Sequence, residues 1–328
     1  MNRTATVLLT AVAPVSWGTT YYVTTELLPP GRPLFTALVR ALAAGLLLLA
    51  VARKLPRGIW WGKAAVLGAL NIGAFFPLLF LAAYRLPGGT AAVVGSVGPL
   101  VVAGLSVPLL GRRPTVRTLL TGVAAVAGVG LVVLRAAGAL DTVGLLAALA
   151  STVSMSTGIV LTKRWGSPAG TGPLALAAWQ LTAGGLLVAP LALLAEGAPP
   201  ALDARAVAGY LYLTLAGTAV AYWLWFRGIA RLSATQVTFL APLSPLTAAV
   251  VGWAALGQGL TAVQLLGMAL AFGATVAGQL PGRRPAATAP PAGPAVTPAA
   301  VPVAAGRGRA GTSSPRAALP WKDGATHP

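Results

Sequence analysis

The sequence predicts an all-α integral membrane protein with ten transmembrane helices, arranged as two inverted five-helix repeats. The first observation is composition, because 56% of the 328 residues are hydrophobic and 9% are charged, whereas a soluble domain has about 25% charged residues. The second is a series of apolar runs, each close to the roughly 20 residues that a helix needs to cross a bilayer. The third is an internal repeat whose two copies each hold an odd number of spans.

Ten apolar runs have this length, and short connections rich in turn formers separate them, such as LPPGRP (28–33) and EGAPP (196–200). These runs are predicted to be helices because lipid offers no partner for unpaired backbone groups, and a barrel would show short alternating segments. The basic start of the first run resembles a signal peptide, but the apolar runs that follow at once favour an uncleaved span. The predicted spans are 4–25, 34–52, 64–83, 89–110, 117–134, 143–162, 172–194, 206–226, 234–256 and 261–280.

Basic residues are distributed unequally between the two ends of these spans. With the N-terminus in the cytoplasm, most of them fall inside, and the four acids before the tail fall outside, which is a positive-inside pattern. We therefore expect a multi-pass protein of the inner or plasma membrane with both termini cytoplasmic. The net charge of +18 then reflects topology, and no nucleic-acid partner is expected. The inside residues are Arg3, Arg53, Lys54, Arg57, Lys63, Arg112, Arg113, Arg117, Lys163, Arg164, Arg227, Arg231, Arg283 and Arg284; the outside ones are Arg32, Arg85, Arg135 and Arg205.

The composition also bounds the chemistry. The chain has no cysteine, and its single histidine, His327, lies in a Pro-, Ala- and Gly-rich stretch, 281–328, that is predicted to be a disordered cytoplasmic tail. No His, Asp or Glu set has metal-ligand spacing, and the glycines form no nucleotide-binding motif. We therefore expect no catalytic site, no cofactor and no metal. A lipid bilayer is the expected surrounding, and the glycine-rich helix faces leave a homodimer open.

Two pairs of segments indicate the internal repeat. TALVRALAAGLLLLA (36–50) aligns with LAAWQLTAGGLLVAP (176–190), which places Arg40 on Gln180. FLAAYRLPGGTAAVVGSVGPL (80–100) aligns with FRGIARLSATQVTFLAPLSPL (226–246) at an offset of 146 residues. The repeats are predicted to be 4–134 and 143–280. Because each holds five spans, the second copy is upside down in the membrane, an arrangement typical of alternating-access transporters.

The chain resembles the EamA-like branch of the drug/metabolite transporter superfamily. The residues that carry the resemblance are APVSWGTTY (13–21), Arg40 with its counterpart WQLTAGG (179–185), and LGRRPT (110–115) with LGQGLT (256–261). The resemblance covers about residues 6–280 and implies ten helices in two inverted repeats that move small metabolites, often as export. Members often carry glutamate where this chain has Arg112 and Gln258, so an ion pair or gate that uses those glutamates is not expected here.

Arg40 is the clearest candidate for a functional residue, because charge within a span is costly and often functional. It lies seven residues after Pro33, about 10 Å along the helix. One interpretation is a snorkelling or structurally paired arginine. The other is an anchor for a carboxylate or phosphate, or an outer gate with Glu26. Gln180, a polar group at the equivalent place, favours a shared gating role.

Other candidates for substrate binding or gating are large polar and aromatic side chains placed within the apolar spans, because such groups need partners in lipid. For each of them, helix packing is the alternative interpretation. Two prolines, aligned by the repeat, are predicted to kink their spans or to act as hinges beside a cavity. The binding or gating candidates besides Arg40 and Gln180 are Trp17, Tyr21, Asn71, Ser96, Trp179, Tyr222 and Gln236, and the hinge candidates are Pro99 and Pro245.

The sequence thus predicts a carrier for a small amphipathic metabolite, such as an amino acid, an amine or a related compound. Trp17, Asn71 and Tyr222 would form an aromatic and polar wall of its central site. Two alternatives remain at this stage. One is a membrane-embedded enzyme that acts on lipid-linked substrates, which the missing acid–base clusters disfavour. The other is a non-transporting scaffold whose tail binds a partner.

Overall fold

The computed structural model describes residues 2–86, 94–133, 141–257 and 259–280, and the regular elements in these ranges are helical. The side chains of Tyr21, Ala83, Tyr84 and Val133 lie outside the described part. So do the predicted tail 281–328, Gln258, Arg135 and the start of the predicted fourth span. The description below concerns the described residues alone.

Fourteen α-helices and two π-helical segments, π1 and π2, make up the described fold. The elements of the first half are α1 Arg3–Gly18, α2 Thr20–Leu27, α3 Pro33–Ala52, α4 Trp60–Gly68, π1 Ala69–Gly73, α5 Phe75–Arg85, α6 Gly98–Leu110 and α7 Val116–Val133. The elements of the second half are α8 Thr142–Trp165, α9 Pro173–Glu196, α10 Ala204–Thr214, π2 Leu215–Val220, α11 Ala221–Arg231, α12 Ala234–Thr238, α13 Leu243–Leu256 and α14 Ala262–Gln279.

Seven of these helical segments are long and apolar enough to cross a membrane, so the chain is a multi-pass membrane protein. Two more apolar segments are shorter, Gly98–Leu110 and Val116–Val132. The segment from Arg3 to Leu27 is divided at Thr19. The seven are Pro33–Ala52, Trp60–Ala82, Thr142–Trp165, Pro173–Glu196, Ala204–Arg231, Ala234–Leu256 and Ala262–Gln279.

Several predicted spans are interrupted where the sequence predicts one continuous helix. The first predicted span, 4–25, is divided after Gly18, where a Cβ atom would come within 2.5 Å of the Ser244 carbonyl oxygen and Thr247 Cβ. This close approach of α1 to α13 requires glycine. The ninth predicted span, 234–256, is divided into α12 and α13. The third and eighth spans contain π1 and π2, which an apolar pattern does not reveal.

The bounds of the elements recur at the offset of 146 residues that the aligned segments 80–100 and 226–246 show. The segments π1 and π2 begin at Ala69 and Leu215. The helices α5 and α11 share both ends at this offset, and so do α7 and α14. Gly111 and Gly257 end α6 and α13 in the left-handed conformation, with φ of 64° and 63°. The two halves therefore repeat the same local structure.

Equivalent helices of the two halves pack against each other and run antiparallel. A Cβ atom at Gly45 of α3 would lie 2.5 Å from the Thr182 nitrogen of α9. A Cβ atom at Gly185 of α9 would lie 2.8 Å from the Leu42 nitrogen of α3. In α7 and α14, a Cβ at Gly128 would lie 2.5 Å from the Ala271 nitrogen. Glycines thus allow close packing between the equivalent helices of the two halves.

Acidic side chains cap or join helices at one end of the bundle. The Glu196 carboxylate accepts hydrogen bonds from the backbone nitrogens of Leu34 at 2.7 Å and Phe35 at 2.8 Å, at the start of α3. Asp141 caps α8 and pairs with Arg85 at 3.1 Å. Asp203 caps α10 through a hydrogen bond from Ala206. Carboxylates at helix N-termini complement the helix dipole and satisfy free amide groups.

Candidate functional site

Arg40 is buried within the bundle, with 4% of its surface exposed. Its Nε donates to Thr218 Oγ1 at 2.9 Å, and its Nη2 donates to the Gly217 carbonyl oxygen at 3.0 Å. Both partners belong to π2. A π segment displaces backbone carbonyls from the regular helical ladder, and here a charged donor of α3 satisfies one of them. The hydrogen bonds that Arg40 donates thereby offset part of the free energy that burial of its charge costs.

These contacts match one of the interpretations of Arg40 that the sequence leaves open, and the role in transport stays a prediction. The side chain is structurally paired, as one of them states, and its guanidinium also lies 5.4 Å from the centroid of the Phe76 ring. The predicted outer gate with Glu26 is not formed in this structure, because Glu26 is exposed at the end of α2. The two hydrogen bonds of Arg40 go instead to the Thr218 hydroxyl and the Gly217 carbonyl of the opposite half.

Gln180, the counterpart of Arg40, makes the corresponding contact with π1. Its side chain is fully buried, and its Oε1 accepts a hydrogen bond from Asn71 Nδ2 at 2.7 Å. The Gln180 Nε2 atom is buried without a hydrogen-bond partner. Asn71 is held close to α8, since a Cβ at Gly158 would fall 2.2 Å from Asn71 Oδ1. Asn71 and Gly217 are themselves equivalent at the 146-residue offset.

An aromatic cluster surrounds the other face of π2. Trp17 Nε1 donates to the Gly217 carbonyl oxygen at 3.2 Å, so this oxygen accepts from both Trp17 and Arg40. The Trp17 ring lies 5.2 Å from that of Tyr222 and 5.1 Å from that of Trp225. The structure thus joins Trp17, Arg40 and Tyr222 around one carbonyl group. Asn71, which the sequence predicts in the same wall, instead lies with Gln180 and Gly158.

Trp179 and Ser96 are buried. The Trp179 indole donates to the Lys54 carbonyl oxygen at 2.7 Å, which anchors the loop after α3. Ser96 lies in a turn just before α6. Tyr21 belongs to α2. The Trp179 indole therefore bonds to the loop after α3 and not to π1 or π2.

Pro99 and Pro245 do not kink continuous helices, which corrects one part of the prediction. Each lies in the first turn of a helix, α6 or α13, where a missing backbone N–H costs little. Each follows an interruption of its span: residues 96–97 and 239–242 form turns. The prediction that the two prolines act as hinges beside a cavity stays a prediction, since neither lines the cavity described below.

A cavity of about 620 Å³ opens where the C-terminal ends of α6, α8 and α14 meet the starts of α7 and α12. Gln236 is among its lining residues. Gln236, which the sequence predicts within an apolar span, lies at the start of α12, where it forms a capping box with Ser233. The Ser-x-x-Gln spacing was the sequence pattern that indicates such a cap. Arg40, Asn71, Gln180 and Tyr222 are not among the residues that line this cavity.

Sequence reasoning missed three features of the site. It identified Arg40 and Asn71 but not their partners Gly217 and Gly158, since a backbone carbonyl and a glycine have no distinctive side-chain chemistry. It missed Thr218, whose hydroxyl also donates to the Leu213 carbonyl oxygen at 2.7 Å. It used the basic residues near α6 and α8 only to set topology. Across the residues described, no three His, Cys, Asp or Glu side chains are grouped as metal ligands.

The chain is similar to a family model, to curated proteins and to a solved structure. The family model described as the EamA-like transporter family matches residues 4–134 and 142–277. Protein PecM of Dickeya dadantii (strain 3937) is 44% identical over 264 residues, covering 80% of this chain and 89% of PecM. The inner membrane transporter YedA of Escherichia coli (strain K12) is 28% identical over 272 residues, covering 80% and 86% of the two chains. A crystal structure that is 20% identical has the same fold, with a TM-score of 0.72 over 84% of this chain and 96% of that chain.

Proposed function

Because this chain belongs to the EamA-like transporter family, we propose that it exports a small amphipathic metabolite, such as an amino acid, an amine or a related compound. Transport uses alternating access between two inverted five-helix repeats, 4–134 and 143–280, that together supply ten spans. Both termini lie in the cytoplasm. Under this orientation, the acid-capped end of the bundle faces outward and the end with Lys63 and Lys163 faces inward.

The observation that carries the proposal is the reciprocal pair of contacts between the halves. Arg40 of the first half bonds to π2 of the second, and Gln180 of the second half bonds to Asn71 in π1 of the first. Through these two contacts, each repeat bonds to the π segment of the other repeat. Rocking of one repeat against the other therefore changes both contacts together.

Two kinds of helix interruption supply the flexible points that this motion needs. The π segments divide the third and eighth spans, and the turns before Pro99 and Pro245 divide the fourth and ninth. All four lie at equivalent places in the two halves. Backbone groups at such interruptions have fewer intrahelical partners, so they are available to a ligand or to a second conformation.

The cargo site in this proposal lies against the aromatic cluster. Trp17 and Tyr222 offer flat apolar surfaces with polar edges, which suit an amphipathic compound. Arg40 holds the π2 carbonyl next to them and faces the ligand when its bond to Gly217 opens. Asn71 and Gln180 provide the equivalent polar pair in the other half.

Counterflow into proteoliposomes tests transport directly. Purified protein is reconstituted, the vesicles are loaded with one unlabelled compound, and entry of the same labelled compound is followed for amino acids and amines of increasing apolar surface. We expect transient accumulation of at least one compound. Arg40→Gln should slow it at least tenfold, about 1.4 kcal/mol of lost stabilisation in the rate-limiting step. Leu194→Ala, on a side chain that is 87% exposed, serves as the matched control and should leave it unchanged.

Two outcomes would contradict the proposal. One is the absence of counterflow for the whole panel in vesicles that hold folded protein. The other is chemical conversion of a lipid-linked substrate, which would support the enzyme alternative. Truncation after residue 280 separates the scaffold alternative, because a carrier should transport without its tail.

The orientation is tested by labelling single cysteines, which is practical because the chain has none. Arg57→Cys and Leu202→Cys replace exposed residues in loops that the proposal places on opposite sides. A membrane-impermeant maleimide should label the Leu202 position in intact cells, and the Arg57 position only after permeabilisation. Labelling of both positions from one side would contradict the five-span repeats.

A further inference from the structure

The cavity of about 620 Å³ between α6, α7, α8, α12 and α14 is lined by five basic residues: Arg112, Arg113, Arg117, Lys163 and Arg164. Its volume falls within the roughly 300–1,000 Å³ of small-molecule sites. Hydroxyl groups, including those of Ser106, Thr118 and Thr121, lie among the basic residues, and none of the described residues that line the cavity carries a carboxylate. The charge of this concave surface therefore has one sign.

Among the described residues, the acids lie away from this cavity. The acids of the described ranges lie at the other end, where they cap or join helices, as with Asp141 and Glu196. Within the cavity, the Arg112 guanidinium repels the Lys163 ammonium. Like charges held together in a concave site focus the field and favour entry of an anion, which relieves their repulsion.

A topological preference for basic residues explains their presence at this end but not their arrangement. The positive-inside rule needs basic residues in loops, and Arg57 satisfies it on an exposed loop outside the cavity. The basic residues of the cavity converge from three places: Arg112 and Arg113 from the loop after α6, Arg117 from the start of α7, and Lys163 with Arg164 from the end of α8. Lys163 is further positioned by hydrogen bonds to the carbonyl oxygens of Ile229 at 2.8 Å and Ala230 at 3.1 Å. Its ammonium group is thereby fixed beside Arg112.

The cavity also has an apolar wall. Leu109, Leu110 and Phe239 are among its lining residues. An occupant with a charged head and an apolar body would bury the body against these side chains and place the head among the guanidinium and hydroxyl groups. Guanidinium groups match carboxylate and phosphate oxygens in geometry as well as in charge.

We propose that this cavity binds an amphipathic organic anion, a carboxylate or phosphate monoester with an apolar body, as the cargo on its inward side. This inference rests on the proposed transport function and narrows its substrate class, since amines are disfavoured. The same chemistry is present in the headgroup of an anionic lipid, which reaches the cavity from the inner leaflet. The experiment therefore separates a free anion from a headgroup.

Binding is measured by titration of the full-length protein in uncharged detergent. The four probes share a phenyl ring and differ in their polar group: phenyl phosphate, phenylacetate, phenethyl alcohol and phenethylamine. We expect the two anions to bind and the alcohol and amine to bind at least tenfold more weakly. Arg112→Gln and Arg113→Gln change exposed residues and should each raise the Kd of phenyl phosphate at least tenfold. Arg112→Lys, which keeps the charge, should raise it less than Arg112→Gln.

Arg57→Gln is the matched control, because it removes one charge from the same end without touching the cavity. It should change the Kd of phenyl phosphate less than twofold. Equal weakening by Arg57→Gln would overturn the proposal, since bulk charge would then account for binding. Binding of phenethylamine as tight as that of the anions would also overturn it.

The source of the anion is identified in nanodiscs of phosphatidylcholine with or without phosphatidylglycerol. If phosphatidylglycerol raises the Kd of phenyl phosphate for the wild type but not for Arg112→Gln, its headgroup competes for the cavity. The lipid headgroup is then the natural occupant. If the Kd of phenyl phosphate is the same in the two lipid mixtures, the natural occupant is a free anion. Both results support the anion site.

Counterflow with the same four probes tests the transport function separately from the anion site. Anions that bind but are not transported would leave the site in place and contradict the carrier. Transport of phenethylamine without binding of either anion would leave the carrier in place and contradict the anion site.

Discussion

Arg40 and Gln180 occupy equivalent positions in α3 and α9, and each bonds to the π segment of the opposite half. Arg40 reaches Thr218 and Gly217 in π2, and Gln180 accepts from Asn71 in π1. The pairs are related by the repeat, because Asn71 and Gly217 are also equivalent. An ancestral contact of one polar side chain with one π segment, duplicated and then diversified in side-chain chemistry, is the simplest origin of this arrangement.

The Arg40–Thr218 bond should show energetic coupling. Thr218→Val leaves the buried Nε of Arg40 without this acceptor, so we expect a loss of about 1–3 kcal/mol in the free energy of unfolding. In an Arg40→Met background, Thr218→Val should lower the free energy of unfolding by less. The difference between the two effects, the coupling energy, should be about 0.5–3 kcal/mol. Unfolding in mixed micelles measures all four proteins of the cycle.

The control for this cycle is Thr157→Val. The Thr157 hydroxyl donates to Val153 within its own helix, at 2.7 Å, so its loss should cost little and be the same with Arg40 or Met at position 40. Additive effects of Thr218→Val and Arg40→Met would show that the bond seen in the structure contributes nothing measurable.

Gly158 should tolerate no larger residue while Asn71 keeps its position. The Cβ of Gly158→Ala would lie 2.2 Å from Asn71 Oδ1, so α8 must shift or the Asn71–Gln180 bond must break. We expect a loss of about 1–3 kcal/mol, typical of overpacking, measured by unfolding in mixed micelles. Asn71→Ala in the same chain should recover part of it, since the clashing atom is removed.

Gly62 provides the comparison for this substitution. It lies in α4, and a Cβ there would meet no atom within 4 Å, so Gly62→Ala should be neutral or stabilising by up to about 1 kcal/mol. Equal losses for the Gly62 and Gly158 variants would mean that the contact with Asn71 does not determine the effect.

The sequence predicts much of the fold because its patterns depend on local chemistry. Apolar length locates the spans, and the aligned segments 80–100 and 226–246 match the offset at which helix bounds recur. Arg40, Asn71 and Gln180 stand out as polar groups within apolar runs. What the sequence does not predict depends on long-range packing: the interruption of spans by π1 and π2, and the use of the Gly217 carbonyl by both Trp17 and Arg40.

The Arg85–Asp141 ion pair should make stability depend on pH in a defined direction. The hydrogen bond from Arg85 holds the pKa of Asp141 below its ordinary value of 3.8. A carboxyl whose pKa is lowered by folding adds stability above its unfolded pKa, and this is lost as pH falls through the folded pKa. The difference in unfolding free energy between wild type and Asp141→Asn should be constant from about pH 5 to 8 and shrink below pH 3.8.

Both side chains of this pair are partly exposed, at 49% for Arg85 and 31% for Asp141, so salt should reduce the effect. Arg85→Gln tests its origin, because without the guanidinium the pKa of Asp141 should return toward its ordinary value. A pH dependence that persists unchanged in Arg85→Gln would assign it to another carboxyl.

Pro245 should affect transport more than stability. The turn at residues 239–242 separates α12 from α13 through hydrogen bonds that span three residues, such as Leu240 to Val237 and Ala241 to Thr238. Because proline has no N–H, Pro245 cannot donate to the Ala241 carbonyl and so helps keep the two helices apart. Pro245→Ala restores that donor and allows α13 to extend toward α12. We expect counterflow to slow about tenfold, while the free energy of unfolding changes by less than about 1 kcal/mol, since a proline in the first turn costs a helix little.

Pro190→Ala is the matched control for this substitution, because Pro190 lies inside α9. Removal of a proline from a helix interior should raise the free energy of unfolding and leave counterflow unchanged, the reverse of the pattern expected for Pro245→Ala. Pro99→Ala, the equivalent change in the first half, should reproduce the effect of Pro245→Ala if both interruptions move during transport. Full counterflow in the double variant of Pro99→Ala and Pro245→Ala would show that neither interruption acts as a hinge, because the two prolines would then serve only to begin α6 and α13.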